Sequence, residues 1–302
     1  MSAPMPDSPA IAVATSLVPG RDIDIQTAAV RSWQALGFAV VSLNAPAEAA
    51  AVRRQFPGVA VTEAQRTAEK AVGRPLPFIG DLLAAARAHG PAARVVGVIN
   101  ADIVLRPSRD LSAALLRESE NGAIMLPRVD VPDLNAIAAF RPSGRETYSV
   151  GYDGAFMRPE TIADVPENLF CIGMPFWDYW LPLTMVLQDK TLKTLAAPVA
   201  LHISHPTRWD GSIYLFFHAL VSDALKICAA RQAKSADAAF AVLLDMLRHS
   251  YADLFRRATQ GGEANPGVEA LASFYDRIQE VVVHHIKAKA VPVAVPDAAA
   301  TA

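Results

Sequence analysis

The feature that most constrains this chain is the stretch 94–105, RVVGVINADIVL. Val95, Val96, Val98 and Ile99 make an apolar run with no polar face. Such a run belongs to a strand covered on both sides, as in the middle of a parallel sheet. The polar elbow that follows, Asn100-Ala101-Asp102, then sits at the carboxyl end of a buried strand. Open α/β sheets hold their ligands there. Asn100 and Asp102 are two apart, so on an extended backbone their side chains share a face and can offer oxygens to one hard cation. The same residues also suit a plain turn, because Asn and Asp bond readily to neighbouring backbone. On this stretch alone both readings stand.

The chain before the elbow alternates in period. An apolar strand over 11–18 is closed by Pro19-Gly20, and a helix follows over 25–36 with Ile25, Ala28, Ala29, Trp33 and Leu36 at helical spacing. Gly37 caps it, a strand runs over 38–43, Pro46 lies at the start of a second helix reaching 56, and a third strand covers 59–62. This β-α-β-α-β opening implies parallel strands with right-handed crossovers, the nucleotide-binding half of an α/β fold. A looser segment over 63–77 precedes a helix over 78–89; beyond the elbow, a helix is expected over 110–118 and a strand over 123–126. Residues 136–140 and 148–150 read as short strands, and 191–204 as a strand or hairpin ending in His202-Ile203-Ser204-His205.

After residue 210 the pattern is helical, with one apolar stripe through Phe240, Leu243, Leu244, Leu247, Tyr251, Leu254 and Phe255. A second stripe runs through Val268, Leu271, Phe274, Tyr275, Ile278 and Val282. The expected organisation is a disordered 1–9, an α/β domain over 10–210, a helical region over 211–288 and a disordered tail over 289–302. The C-terminal helices could pack on the sheet, form a homodimer surface or meet a membrane-bound acceptor. They lack a Lys/Arg-rich polar face, so membrane docking is not expected.

Composition excludes several classes. With 302 residues, 52% hydrophobic and 19% charged, the chain has ample material for a core. A net charge of −2 without a long basic run argues against nucleic acid as a partner. Two cysteines, Cys171 and Cys228, with no CxxC, argue against a disulfide framework or structural zinc. The N-terminus has no basic region of the secretory kind, and the most apolar window, 213–230, carries His218, Asp223 and Lys226. The expectation is a cytoplasmic protein with no transmembrane segment.

Four clusters hold residues able to do chemistry. Thr15, Ser16, Asp22 and Asp24 lie in the loop after the first strand, where backbone groups and a carboxylate could hold a base and ribose. That loop contains neither GxGxxG nor GxxxxGK[ST], and an ordinary βα loop reads equally well. Asn100 and Asp102 form the second cluster. His202 and His205 form the third; three apart on a strand they point to opposite faces unless the strand ends between them, and each is also a plausible structural histidine. One imidazole added to oxygen ligands suits Mn²⁺ or Mg²⁺ better than a closed zinc site. The fourth is Asp178 within Trp177-Asp178-Tyr179-Trp180, with Asp153 in GYDGAF. A carboxylate set in aromatic surface costs energy unless bonded or used, and burial would fit it for general-base work. The same residues also describe a helix-capping Asp with core aromatics beside it.

Taken in order, these motifs resemble the GT-A-type, family-2-like glycosyltransferases of the nucleotide-diphospho-sugar transferase superfamily. TSLVP is similar to their donor-nucleotide loop, RSWQALGFAVVSLN to the next β-α-β unit, INADI to the DxD motif, and CIGMPFWDYW to the acceptor-side acidic motif. The resemblance covers about 10–210. It implies a Rossmann-type mixed sheet flanked by helices, with the C-terminal helices as an extension. Its implied activity is metal-dependent transfer of a sugar from a nucleotide-diphosphate donor to a carbohydrate, lipid or protein acceptor, with Mn²⁺ or Mg²⁺ as cofactor. Residue by residue it implies Thr15, Ser16 and Asp22 near the nucleotide, and Asn100 and Asp102 orienting ribose and metal. His205 or His202 would complete the metal shell, Asp178 would face the acceptor, and Asp153 would hold donor hydroxyls or the acceptor. Asn100 stands where that family has the first acid of DxD. Two alternatives remain open: a non-catalytic relative that binds without turnover, favoured by Asn100, and a nucleotidyltransferase, disfavoured by the lack of a Gly-rich basic loop.

Overall fold

The structure, a computed structural model, describes residues 9–205, 212–231, 238–246, 248–249, 252 and 280–296. The expected first half forms as strands β1 (Ile11–Thr15), β2 (Ala39–Asn44), β3 (Ala60–Glu63) and β4 (Val95–Ile99). Helices α1 (Ile23–Ala35), α2 (Pro46–Gln55), the short α3 (Glu69–Val72) and α4 (Ile79–His89) connect them. β4, β1, β2 and β3 lie side by side and parallel. Their carboxyl ends, and so the loops after β1 and β4, share one edge of the sheet.

β4 is buried along its whole length, as the apolar run requires. Val96 and Val98 join the core on the face covered by α4, while Val95 and Ile99 join the core on the face covered by α1. Each such side chain taken out of water contributes about 1.5–3 kcal/mol. Residues 100–102 turn the chain into β5 (Ile103–Leu105), and Trp33 of α1 donates from its indole nitrogen to the Ile103 carbonyl at 2.9 Å. That buried bond fastens the chain just past the elbow.

The second half is mixed. It contains α5 (Arg109–Glu118), β6 (Gly122–Val131), α6 (Leu134–Ala139), β7 (Tyr148–Met157), a 3-10 turn, α7 (Trp177–Leu187), β8 (Thr191–Leu195), β9 (Ala200–Ile203), α8 (Ser212–Ala230) and β10 (Val291–Val293). β7 runs antiparallel to both β4 and β6 and joins the two halves into one sheet of ten strands among the described residues. The mixed α/β sheet flanked by helices is thus present.

Several expectations change here. Residues 136–140 are not a strand: Asp133 accepts from the Ala136 amide at 2.7 Å and caps α6. The stretch 191–204 is not a hairpin, since β8 and β9 pair with β6 rather than with each other. β8 takes the first half of β6 and β9 the second. β6 itself runs five residues past the expected end at 126, carrying Pro127 at a register irregularity, where a missing amide is tolerated. Val291–Val293, inside the expected tail, pairs parallel with β8. Of the two C-terminal stripes, Phe240, Leu244 and Val282 are buried and Leu243 is exposed. The stripe residues 247, 251, 254, 255, 268, 271, 274, 275 and 278, with residues 1–8 and 297–302, lie outside the described residues.

Gly97 shows how tightly the middle of the sheet is filled: a Cβ there would lie 2.7 Å from Phe156 Cδ1 and 2.8 Å from the Ala155 carbonyl. Gly97→Ala is expected to cost about 1–3 kcal/mol, as overpacking does. Denaturant unfolding checks this against Gly80→Ala, whose added Cβ meets nothing within 4 Å and leaves the midpoint unmoved or raised.

Candidate metal centre

The site lies where β4, β6, β7 and β9 come together. β9 is flanked by β5 and β6, and the register sets His202 opposite Ile103 on one side and Asp130 on the other. Asp102, in the turn one residue before β5, is thereby brought against the His202 ring. The strand ends at Ile203, which frees His205 to swing back; the two imidazole centroids are 5.0 Å apart. Asp102 Oδ2 lies 3.4 Å from His202 Nε2 and 3.7 Å from His205 Nε2. One ligand atom from each of the three lies within 4.8 Å of the others. Both histidines, rather than one, therefore converge on Asp102.

The cluster is graded in exposure: the His202 side chain is 4% exposed and that of His205 58%, so the group opens to solvent on the His205 side. Burial works to raise the Asp102 carboxyl, but hydrogen bonds with His202 and His205 prevail and hold it well below the usual carboxylate range. Its second oxygen, Oδ1, is buried without a hydrogen-bond partner. An unpaired buried carboxylate oxygen is costly; Oδ2 is the oxygen that faces the two imidazoles, so a divalent cation would satisfy Oδ1 as well only if the carboxylate held it through both oxygens. The donor set fits such an ion.

Asn100 is placed differently from the expectation of a shared face. The Ile103 amide donates to the Asn100 carbonyl at 3.2 Å, closing a turn, so the elbow does not stay extended. The Asn100 side chain donates to Asp153 Oδ1, and the Asn100 amide to the Asp153 carbonyl at 2.9 Å. Asp153, 5% exposed, also takes an ion pair from Arg128 on β6. Arg128 Nε donates in turn to Asp130 Oδ1 at 3.0 Å, and Asp130 Oδ1 meets His202 Nδ1 at 2.8 Å. The result is a closed ring of polar contacts: Asp102, His202, Asp130, Arg128, Asp153, Asn100 and back through the elbow. Burial pushes the Asp153 carboxyl up, and the Arg128 guanidinium opposes it.

Asp178 occupies the first turn of α7, after Phe176 in the left-handed region at φ 71°. It faces Gly151, where a Cβ would fall 2.2 Å from Asp178 Oδ2; Gly151 itself has φ +100° and needs to be glycine twice over. Burial, and then the charge of Asp153, push the Asp178 carboxyl well above the usual range. It is the acid of the first turn of α7, with Oδ2 turned to Gly151 on β7.

The β1 loop is held by a buried network. Ser42 Oγ accepts from the Leu17 amide at 3.0 Å, and Asn44 donates to the Leu17 carbonyl at 2.8 Å and to Ser16 Oγ at 3.4 Å. Gln26 bonds both the amide and the carbonyl of Val18. Thr15 is fully buried, and its hydroxyl has no hydrogen-bond partner. Asp22 is exposed and paired with Arg21. This loop shares the sheet edge with the elbow.

Arg128 and Asp130 carry a sequence signal that went unread. Arg-Val-Asp-Val alternates, putting both polar side chains on one face, but Pro127 ended the expected strand before them.

No protein-family model matches the chain, and no curated protein matches it. Solved structures similar to it include a mannosyltransferase from Pyrobaculum calidifontis in complex with GDP-Man and Mn²⁺, 15% identical, covering 93% of this chain and 86% of that one with a TM-score of 0.46. A putative nucleotide-diphospho-sugar transferase from Desulfovibrio desulfuricans is 13% identical over 73% of this chain and 97% of that one, TM-score 0.38. The 4-diphosphocytidyl-2C-methyl-D-erythritol synthase from Anaerococcus prevotii is 10% identical over 72% and 99%, TM-score 0.37. At these levels no residue role or activity transfers to this chain.

Asp178 yields a signed pH expectation. A carboxyl whose folded pKa is raised favours folding while protonated, and that advantage is lost as pH climbs from the ordinary 3.8 through the raised value. Asp178→Asn, which cannot ionise, should therefore unfold at higher denaturant than the parent at pH 7. The gap should close toward pH 4, as urea melts at the two pH values will read.

Proposed function

We propose that the protein is a metal-dependent glycosyltransferase that moves a sugar from a nucleoside-diphosphate donor to an acceptor hydroxyl. One observation carries the reading: Asp102, His202 and His205 converge at the carboxyl end of the parallel strands, with a buried Asp102 oxygen left unpaired. The motif resemblance to GT-A glycosyltransferases points the same way. Two imidazoles with one carboxylate favour Mn²⁺ over the all-oxygen shells that Mg²⁺ prefers.

A cation held by these three residues would supply Lewis-acid neutralisation of the diphosphate's charge as it leaves. The protein's own groups do the rest. The loop after β1, its Leu17 and Val18 backbone groups already taken by Ser42, Asn44 and Gln26, brings Ser16 near the nucleotide, with Thr15 buried beneath it and Asp22 at the rim. Asn100 and Asp153, locked to each other and to Arg128, hold donor hydroxyls beside the elbow. Asp178, whose raised proton affinity suits it to accept a hydroxyl proton, faces the acceptor from the start of α7. That Asn100 is spent on Asp153 rather than on the Asp102 cluster is the observation favouring a binding protein without turnover. Among the described residues no helix is long and apolar enough to cross a membrane.

Titration calorimetry against a panel of nucleotide-sugars with Mn²⁺, with Mg²⁺ and with chelator tests the reading. Binding of one nucleoside-diphosphate family is expected in Mn²⁺, at least about 10-fold weaker in chelator or in Asp102→Ala. Asp178→Asn should keep that binding and lose about 100-fold or more of transfer, the scale of a general base. No binding to any donor under any metal condition would overturn the assignment, and binding without transfer to any hydroxyl acceptor would establish the non-catalytic alternative.

A further inference from the structure

Asp130 has no assigned role toward donor, acceptor or cation, yet it holds His202, the buried histidine of the proposed cation centre. Its Oδ1 lies 2.8 Å from His202 Nδ1 and receives the Arg128 Nε–H at 3.0 Å. An ionised carboxylate only accepts hydrogen bonds, so the nitrogen facing it must carry the proton. His202 is buried, so its ring cannot turn to water for another partner. With Nδ1 turned to Asp130, Nε2 is the nitrogen that faces Asp102, at 3.4 Å, and it is the atom a cation would take in place of the proton it shares with Asp102.

We propose that Asp130 is the positioning residue of the cation site: its hydrogen bond fixes the His202 ring and makes Nε2 the ligand atom. This rests on the proposed Asp102–His202–His205 centre and adds to it the group that sets its one buried imidazole. With a cation bound, the arrangement would be a carboxylate–histidine–metal triad, in which the outer carboxylate orients the ring and strengthens it as a ligand. Two features single out Asp130 for the task. It is the β6 residue in register with His202 on β9, so the contact is set by strand pairing and not by loop placement. Although its side chain is 37% exposed, Arg128, itself anchored on Asp153, holds the same oxygen that accepts from the histidine. The carboxylate is therefore clamped from two sides.

The experiment separates orientation from charge. Mn²⁺ affinity is read by electron paramagnetic resonance for the parent chain, Asp130→Ala and Asp130→Asn, and the protonation of the His202 ring nitrogens by ¹⁵N NMR in chelator. Asp130→Ala removes the acceptor and is expected to weaken Mn²⁺ about 10- to 100-fold. Asp130→Asn removes the charge but keeps an acceptor oxygen in place, and should retain most of the affinity. In the NMR arm Nδ1 carries the proton in the parent and in Asp130→Asn and loses that preference in Asp130→Ala. Equal Mn²⁺ affinity in parent and Asp130→Ala would overturn the proposal, and so would an equal loss in both variants, which would make the effect one of charge. A parent chain that takes up no Mn²⁺ would instead sink the metal-dependent function, and the NMR arm alone then decides on Asp130. Should Asp130→Ala fail to fold, a bare Nδ1 in the parent spectrum still refutes the proposal.

Discussion

Everything at the site depends on β9 lying between β5 and β6. Strand pairing comes in whole residues, and a slip of one would turn His202 from the polar face to the core face. In the observed register His202 stands between Ile103 and Asp130, so one buried imidazole has a carboxylate on either side. The neighbouring strands are themselves anchored: β5 by the Trp33 indole on the Ile103 carbonyl, and β6 by β7, which ties it back to β4. The position of the histidine is thus a consequence of sheet topology, with His205 added only because the strand stops one residue after it.

Charge balance is the second constraint. Among the described residues, Asp102, Asp130, Asp153 and Asp178 gather about the guanidinium of Arg128, which pairs with Asp130 and Asp153. Like charges at short range in a poorly solvated setting cannot all remain ionised without compensation. The chain resolves this unevenly. Asp102 is held ionised by the histidines, Asp153 is steadied by Arg128 and Asn100, and Asp178 is left to hold its proton more tightly. The same crowding, costly by itself, is what the proposed function would use, with a divalent cation on one side and proton transfer on the other. Stability and chemistry here have one cause.

Local pattern was legible wherever one face or both faces of an element are buried by neighbours close in sequence. The strands β1 to β4 and the helices between them follow from period and punctuation, since parallel strands buried on both sides must be apolar throughout. Pattern misled where a single residue outweighed it. Asp133 turned 134–139 into a helix by capping it, and Pro127 hid a strand that tolerates it at an irregular pairing. Because of that hidden strand, Arg128 and Asp130 escape the sequence pattern, whereas Asp102, Asp153, Asp178 and both histidines stand out by residue type alone.

The sequence by itself determined the kind of chemistry on offer: a buried strand ending in acids, two histidines near a strand end, and a carboxylate set among aromatic rings. Those depend on residue type and on neighbours a few positions away. Only the tertiary structure decided which of them meet. Asp102 and His202 are one hundred positions apart, and their contact exists because β5 and β9 pair across the fold. Asn100, two residues from Asp102, is drawn to Asp153 instead, because a turn at the elbow sends adjacent side chains to different strands. Spacing along a chain sets direction only while the backbone stays regular; past the end of a strand, the partners that surround it set direction instead.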